Sequence, residues 1–227
     1  MRATEINGRW PIILPDHRAD FHEDRPWWEA ARLADMYDSL KAAHIDRFAH
    51  LAPDHSTPPP RVLDVGSEEG DLTALFATWG CEVAFIDPSR AWRDQTLDTL
   101  RANGVNAPIS FTGLADNYNY IEGKPVDEPR FVTMDEKVAR ITLDTFCEWF
   151  DFRPDAVTMD VEGAELRVLQ GSDMLLTEDV VWWIAIHEDV DPHATTPSKI
   201  HAFMRERGFD DQFLAYDHEF HYRFWRP

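Results

Sequence analysis

Two short stretches gather the residue types that can move a proton or hold a metal. Asp160-Val-Glu-Gly-Ala-Glu165 carries three carboxylates around a glycine, and Ile184-Ala-Ile-His-Glu188 ends in a histidine beside a carboxylate. A histidine among carboxylates can act as a general base. The same groups can instead share a divalent ion, which would acidify a hydroxyl brought to it. Asp160, His187 and Glu188 are the candidate catalytic residues, and Asp160, Glu162 and His187 the candidate metal ligands. The plainer reading of His187 is a strand-end side chain bonded to backbone. Glu165 can serve simply as a dipole partner at a helix N-terminus.

A third stretch, Arg61-Val-Leu-Asp-Val-Gly-Ser-Glu-Glu-Gly70, suits a ligand. The apolar run Val62, Leu63, Val65 stops at Gly66, and Leu72, Leu75, Phe76 and Trp79 follow at helical spacing. That is a strand, a tight turn and a helix, the opening of an α/β unit. A dinucleotide loop would read G-x-G-x-x-G, and a P-loop would carry Gly-Lys-Ser/Thr; neither is present. The acidic pair Glu68-Glu69 would repel a pyrophosphate. It tolerates a nucleoside that carries positive charge, such as S-adenosylmethionine (SAM) with its sulfonium and α-amino groups. Asp64, Gly66, Ser67 and Gly70 are therefore candidate cofactor contacts. Asp87 ends a second strand about 20 residues past the glycine turn, where an acid accepts ribose hydroxyls. Asp87 or Ser89 can also cap the next helix. Asp116, after a third strand over 109–112, can accept from an adenine amine or cap a turn.

The elements that must position these groups are legible in order. Residues 1–25 are mixed, and Trp10–Leu14 reads as a strand or as a patch on the core. Pro26 suits a helix N1 position. Trp28, Ala31, Met36, Leu40, Ala43 and Phe48 recur at roughly helical intervals, so one or two helices are expected before the stiff Pro58-Pro-Pro60 connector. Residues 1–58 then form an N-terminal helical cap, either covering a substrate cleft or packing as plain core, and residues 59–227 the main domain. Helices are expected over 92–103, 142–149, 196–208 and from Leu166 to Leu175. Strands are expected over 82–87, 155–160 and 180–187, the last apolar throughout and so buried on both faces. Residues 117–141 read as a loop or hairpin insertion. The aromatic alternation of 209–224 suggests two final antiparallel strands.

The chain has 227 residues, 44% of them hydrophobic, enough for one well-buried domain. Its formal net charge of −20 argues against a nucleic-acid partner or an anionic membrane surface. It suits a neutral or cationic small acceptor, or a glycan. The two cysteines, Cys81 and Cys147, lie far apart in apolar surroundings, so buried free thiols and a reducing compartment are expected. No run approaches the ~20 apolar residues of a membrane span, and no signal-peptide pattern opens the chain. A cytoplasmic protein is the expectation, with a homo-oligomer left open.

Asp64-x-Gly66-x-x-x-Gly70 after a first strand resembles motif I of class I SAM-dependent methyltransferases. Thr142-Leu-Asp144, Pro154-Asp155, Asp160–Glu165, Val168-Leu-Gln-Gly171 and Ile184–Glu188 together resemble the FkbM family of SAM-dependent O-methyltransferases. The likeness covers about residues 61–190. The family usually has Ala-Asn after the first glycine, where this chain has Ser67-Glu68, and Glu-Pro after the second strand, where this chain has Asp87-Pro88. The resemblance implies an α/β, Rossmann-like class I methyltransferase fold: a mostly parallel twisted sheet ending in an antiparallel pair, with helices on both faces. It implies SAM as methyl donor and a hydroxyl acceptor on a sugar, glycan or small metabolite. By analogy with the related macrocin-type O-methyltransferases it also admits magnesium. N-methyl transfer to a small amine is the alternative, and a catalytically silent SAM-binding or protein-interaction module is the reading from another class.

Overall fold

A computed structural model describes residues 1–24, 30–43, 59–106, 108–116, 139–187, 197–216 and 218–227. Two short strands open the chain, β1 (Arg2–Ile6) and β2 (Trp10–Leu14), paired as a hairpin. Two helices follow, α1 (Asp16–Asp24) and α2 (Ala30–Ala43). The main sheet begins at β3 (Arg61–Val65), then α3 (Asp71–Thr78), β4 (Glu82–Asp87), α4 (Arg90–Ala102) and β5 (Ile109–Thr112). The chain continues through β6 (Leu114–Ala115) and β7 (Arg140–Ile141), which pair with each other, then α5 (Leu143–Phe150), β8 (Ala156–Met159) and α6 (Glu165–Gln170). It closes with β9 (Val181–Ile186), α7 (Pro197–Arg205), β10 (Asp210–Tyr216) and β11 (Phe220–Trp225).

The seven-stranded sheet runs in the order β10-β11-β9-β8-β3-β4-β5. Strands β5, β4, β3, β8 and β9 are parallel, while β11 is antiparallel to β9 and to β10. The fold is thus the Rossmann-like α/β class expected, with its antiparallel pair at one end. Alternation along each strand sorts the two faces. Leu63, Val65, Ile86, Met159, Trp182 and Ile184 pack with α5, α6 and α7 on one side. Val62, Val83, Phe85, Ala156 and Trp183 pack with α3, α4 and the N-terminal elements on the other. From β3 the chain works outward to β4 and β5, then returns to lay β8 on the opposite side of β3. That reversal opens a crevice at the carboxyl ends of β3 and β8, where ligands bind in open α/β sheets.

The N-terminal segment carries the helix that its spacing predicts, α2, and Trp10–Leu14 forms the strand rather than a mere patch. Its first fourteen residues hold a β-hairpin, whose Ile6, Trp10, Ile12 and Leu14 join the core of the sheet face. Asn103 at the end of α4 bonds both the amide and the carbonyl of Ile13, tying the hairpin down at 2.9 and 2.7 Å. Helix α1 has no apolar stripe, burying only Ala19 and His22, so hydrophobic periodicity could not reveal it. Helix α6 is shorter than its sequence suggested. It ends at Gln170, and Leu175 belongs to a separate 3-10 turn, because Gly171 caps the helix. Residues 117–138 of the expected insertion lie outside the described residues.

Candidate active site

The glycine turn is shaped by close approach. Gly66 has φ +84°, and a Cβ there would lie 1.7 Å from the Asp160 carbonyl oxygen. Gly70 has φ +80°, and a Cβ there would meet Thr96 at 2.6 Å. Only glycine fits such contacts at positive φ. Between the two, the Glu68 amide donates to Asp87 Oδ2 at 2.9 Å, and Thr96 Oγ1 donates to the Glu68 carbonyl at 3.0 Å. Asp87 also accepts from the Ser89 amide at 2.7 Å, while the Ser89 hydroxyl itself caps α4. Asp64 is buried and accepts from the Thr73 hydroxyl. Burial pushes Asp64 up to about 6, against that bond and the charge of Arg32. Burial pushes Asp87 up to about 7, against the two backbone amides.

Two cavities meet at this turn. One, of about 210 Å³, lies on the β4–β5 side and is walled by Ile86, Asp87, Trp92, Leu114 and Val161. At ~30 Å³ per water it has room for far more than a bound solvent molecule. The other is bordered by α1 and α2 and carries more charge, with Arg18, His22, Arg32, Asp64 and Ser67 in its wall beside Ile6, Leu33 and Leu75. Gly66, Glu68 and Asp160 border both.

Past Asp160 the acids close around one imidazole. His187 Nδ1 lies 2.9 Å from Glu165 Oε1, and Glu165 also accepts from the Gly163 amide at 2.9 Å. His187 Nε2 lies 2.6 Å from Glu219, and 3.6 Å from both Asp160 and Glu162. Burial opposes a charge on the ring. Hydrogen bonds to Glu165 and Glu219 and the charge of Asp160 outweigh it, lifting His187 to about 11. Burial, then Glu219, hold Asp160 well above the ordinary carboxylate range, against Arg32 and His187. His221, buried behind, is driven down to about 2 by burial and by Arg32 and His187, so it stays neutral.

These positions correct part of the sequence reading. With a carboxylate on each ring nitrogen, His187 is biased toward the imidazolium, a form with no lone pair to accept a proton. Asp116 is not open to an adenine amine. Arg167 grips both its oxygens at 3.1 and 2.5 Å, Arg140 adds a contact at 2.9 Å, and Asp116 lines neither cavity. Glu188 lies outside the described residues. Asp64, Gly66, Ser67, Gly70, Asp87, Asp160 and Glu162 border the cavities as a group. The sequence reading missed Glu219 and undervalued Glu165. Helix α6 begins at Glu165, so its first turn fixes this last acid of the hexapeptide. Glu219 needs the β11–β9 register, which sets Phe220 opposite Ile186 and so carries Glu219 to His187.

Residues 64–210 match the FkbM methyltransferase domain. The chain belongs to the FkbM methyltransferase family. It is a SAM-dependent methyltransferase, and SAM is its methyl donor. No curated protein matches the chain. Among solved structures it is similar to a TehB-like SAM-dependent methyltransferase from Corynebacterium glutamicum, at 13% identity over 86% of this chain and 96% of that one, with TM-score 0.43. It is similar to magnesium protoporphyrin IX methyltransferase from Synechocystis, at 14% identity over 88% and 84%, with TM-score 0.45. It is also similar to a precorrin-6y C5,15-methyltransferase from Geobacter metallireducens, at 11% identity over 83% and 88%, with TM-score 0.48.

The residues present fit that donor. The larger cavity offers apolar walls and a partly exposed Trp92 to a purine, and Asp87 to a ribose. The acids beside Gly66 complement a sulfonium. Cys81 and Cys147 are free and buried, and burial pushes both thiols up to about 12, so neither is a nucleophile.

Proposed function

We propose that this methyltransferase acts on a hydroxyl of a sugar, glycan or small metabolite. One observation carries the reading: the Asp160 carboxylate stands where the two cavities join, with the His187–Glu219 pair directly behind it. An adenosine in the larger cavity, held at Asp87 and covered by Trp92, sets its sulfur near Gly66. The methyl group then faces the Asp160 side.

Transfer is an in-line displacement, in which the carbon–sulfur bond breaks as the oxygen–carbon bond forms. Positioning and exclusion of water supply much of the rate. The acceptor proton must leave, and Asp160 is the group we assign to take it. A carboxylate held above its ordinary range is a stronger base near neutral pH. His187 positions Asp160 and Glu219, and buried Glu165 fixes the ring through Nδ1.

The donor set also fits a divalent cation. One ligand atom from each of Asp160, His187 and Glu219 falls within 4.8 Å of the others. A buried carboxylate on the far ring nitrogen is how metal-ligating histidines are oriented. A cation at Nε2 would replace the proton there and would lower the pKa of an acceptor hydroxyl. Asp160, His187 and Glu219 would hold it, rather than Asp160, Glu162 and His187.

A labelled-donor screen across sugars, glycans, small phenols and amines tests the reading. Label on hydroxyl compounds is the expected result. Label on amines alone would sink it, and the acidic lining of Glu68, Asp160 and Glu162 makes an ammonium-bearing acceptor the second reading. The net charge of −20 disfavours a nucleic-acid acceptor. The free thiols suit a reducing compartment such as the cytoplasm, and no described helix is long and apolar enough to cross a membrane.

A further inference from the structure

The proton and cation chemistry leaves two acids of the joint unused, Glu68 and Glu162. Both border the larger cavity, one from the glycine turn and one from the hexapeptide. Both have positive φ, +46° and +52°. A residue with a side chain holds that conformation at a cost, and such residues gather at ligand sites. Desolvation in the crevice, then the charge of Glu162, hold Glu68 above the ordinary carboxylate range, against Arg18. Glu69 belongs elsewhere, since it meets Arg18 at 3.0 Å and His17 at 3.1 Å on α1. Next to Glu68, Ser67 is 7% exposed, and its hydroxyl has no hydrogen-bond partner among the described residues. A buried hydroxyl left so points to a ligand at this turn.

Two carboxylates lining one cavity repel each other, and a positive charge between them relieves the repulsion. SAM brings such a charge on its sulfur, and the reaction removes it. The S–CH3 bond breaks, and its electron pair stays on sulfur as a neutral thioether. The O–CH3 bond forms, and the acceptor proton goes to Asp160. Adenosine and amino-acid end are the same before and after. Donor and product therefore differ at this site by one methyl group and one positive charge.

We propose that Glu68 and Glu162 make the site select the sulfonium over the thioether, so that transfer itself loosens the spent donor and S-adenosylhomocysteine (SAH) is a weak product inhibitor. This rests on the donor reading above and adds to it two residues that set turnover through product release. Glu68 stands where the family usually has a neutral asparagine, so the device belongs to this chain.

Calorimetry with three probes tests it: SAM, SAH and sinefungin, which carries an ammonium group in place of the methyl sulfonium. All three share the adenosine and the amino-acid end. Both glutamates are exposed, so water screens them and the effect is modest. Wild type should bind SAM and sinefungin about 3- to 10-fold tighter than SAH. Glu68→Gln and Glu162→Gln should each shrink that preference, and the double variant should bring it near unity by weakening the charged ligands. In turnover assays the inhibition constant of SAH, set against the KM for SAM, should fall in the double variant by the same factor. If one glutamine variant fails to fold, the wild-type ratio and the other single variant decide. A wild type that binds SAH as tightly as SAM overturns the proposal, as does a double variant that keeps the full preference. A wild type that binds none of the three overturns the donor reading itself.

Discussion

A Cβ on Gly66 would stand 1.7 Å from the carbonyl oxygen of Asp160, so the first and fourth parallel strands of the main sheet end in near contact. The donor turn and the acidic cluster are therefore one structure, joined at a point that admits no side chain. Gly66→Ala should damage both. The left-handed backbone alone costs about 1–2 kcal/mol, and the clash must push β3 and β8 apart. Thermal denaturation should show the loss of stability, and calorimetry a loss of SAM affinity of at least about tenfold. A variant that binds SAM normally would mean the crevice is not the donor site.

Trp92 is partly exposed on the wall of the apolar cavity. Stacking on a purine contributes about 0.5–1.5 kcal/mol beyond burial. Trp92→Ala should weaken SAM about 3- to 10-fold with little change in melting temperature. Unchanged affinity by calorimetry would place the adenine elsewhere.

Glu219→Gln removes one charge from Nε2 of His187 and leaves the adenosine contacts intact. Turnover should fall by about 10²-fold, within the range for a proton-transfer group, while SAM affinity holds. Chelation should lower the wild-type rate, and added magnesium should restore it. Full activity under chelator would remove the cation from the mechanism and leave Asp160 as base unaided.

The ligand-free protein should be more stable in mild acid than in mild base. Asp64, Asp87 and His187 all titrate above their ordinary values in the folded chain, at about 6, 7 and 11. A raised folded value favours the protonated group, so its contribution is complete below the unfolded value and lost as pH climbs through the folded one. The two aspartates act from 3.8 to about 7, and His187 from 6.5 to about 11. Denaturant midpoints should fall steadily from pH 5 upward, with a smaller slope in Asp87→Asn. A midpoint that rises with pH over this range would contradict the burial of these groups.

Asp116 separates fold from function. Its side chain and that of Arg140 are 3% and 4% exposed. Removing one partner of a buried pair costs about 3–5 kcal/mol. Asp116→Ala should lose that much stability by urea titration, yet the folded fraction should bind SAM with unchanged affinity. Lost affinity without lost stability would return Asp116 to the adenine site.

Much of the fold was legible because the signals are local. Val62 to Gly70 announced a strand, a glycine turn and a helix, and the apolar run into His187 announced a buried strand. Asp87 stands at the end of its strand, as its spacing predicts. The miss at Asp116 had no local cue. An acid after a strand reads alike whether a ligand or an arginine awaits it, and Arg140 and Arg167 come from distant segments. Helix α1 was missed because it is stabilised by ion pairs to Glu69 and Asp71 rather than by an apolar stripe.

The sequence alone determined the class of the sheet, the glycine turn, the acidic hexapeptide and the family, since each is written in neighbouring residues. Only the tertiary structure decided what His187 is. Glu165 arrives by a helical turn, Glu219 by antiparallel register and Asp160 by the approach of β8 to β3, and their joint field favours a charge on the ring. A protonation state is a sum over groups brought together in space, and pairings between distant segments set that sum.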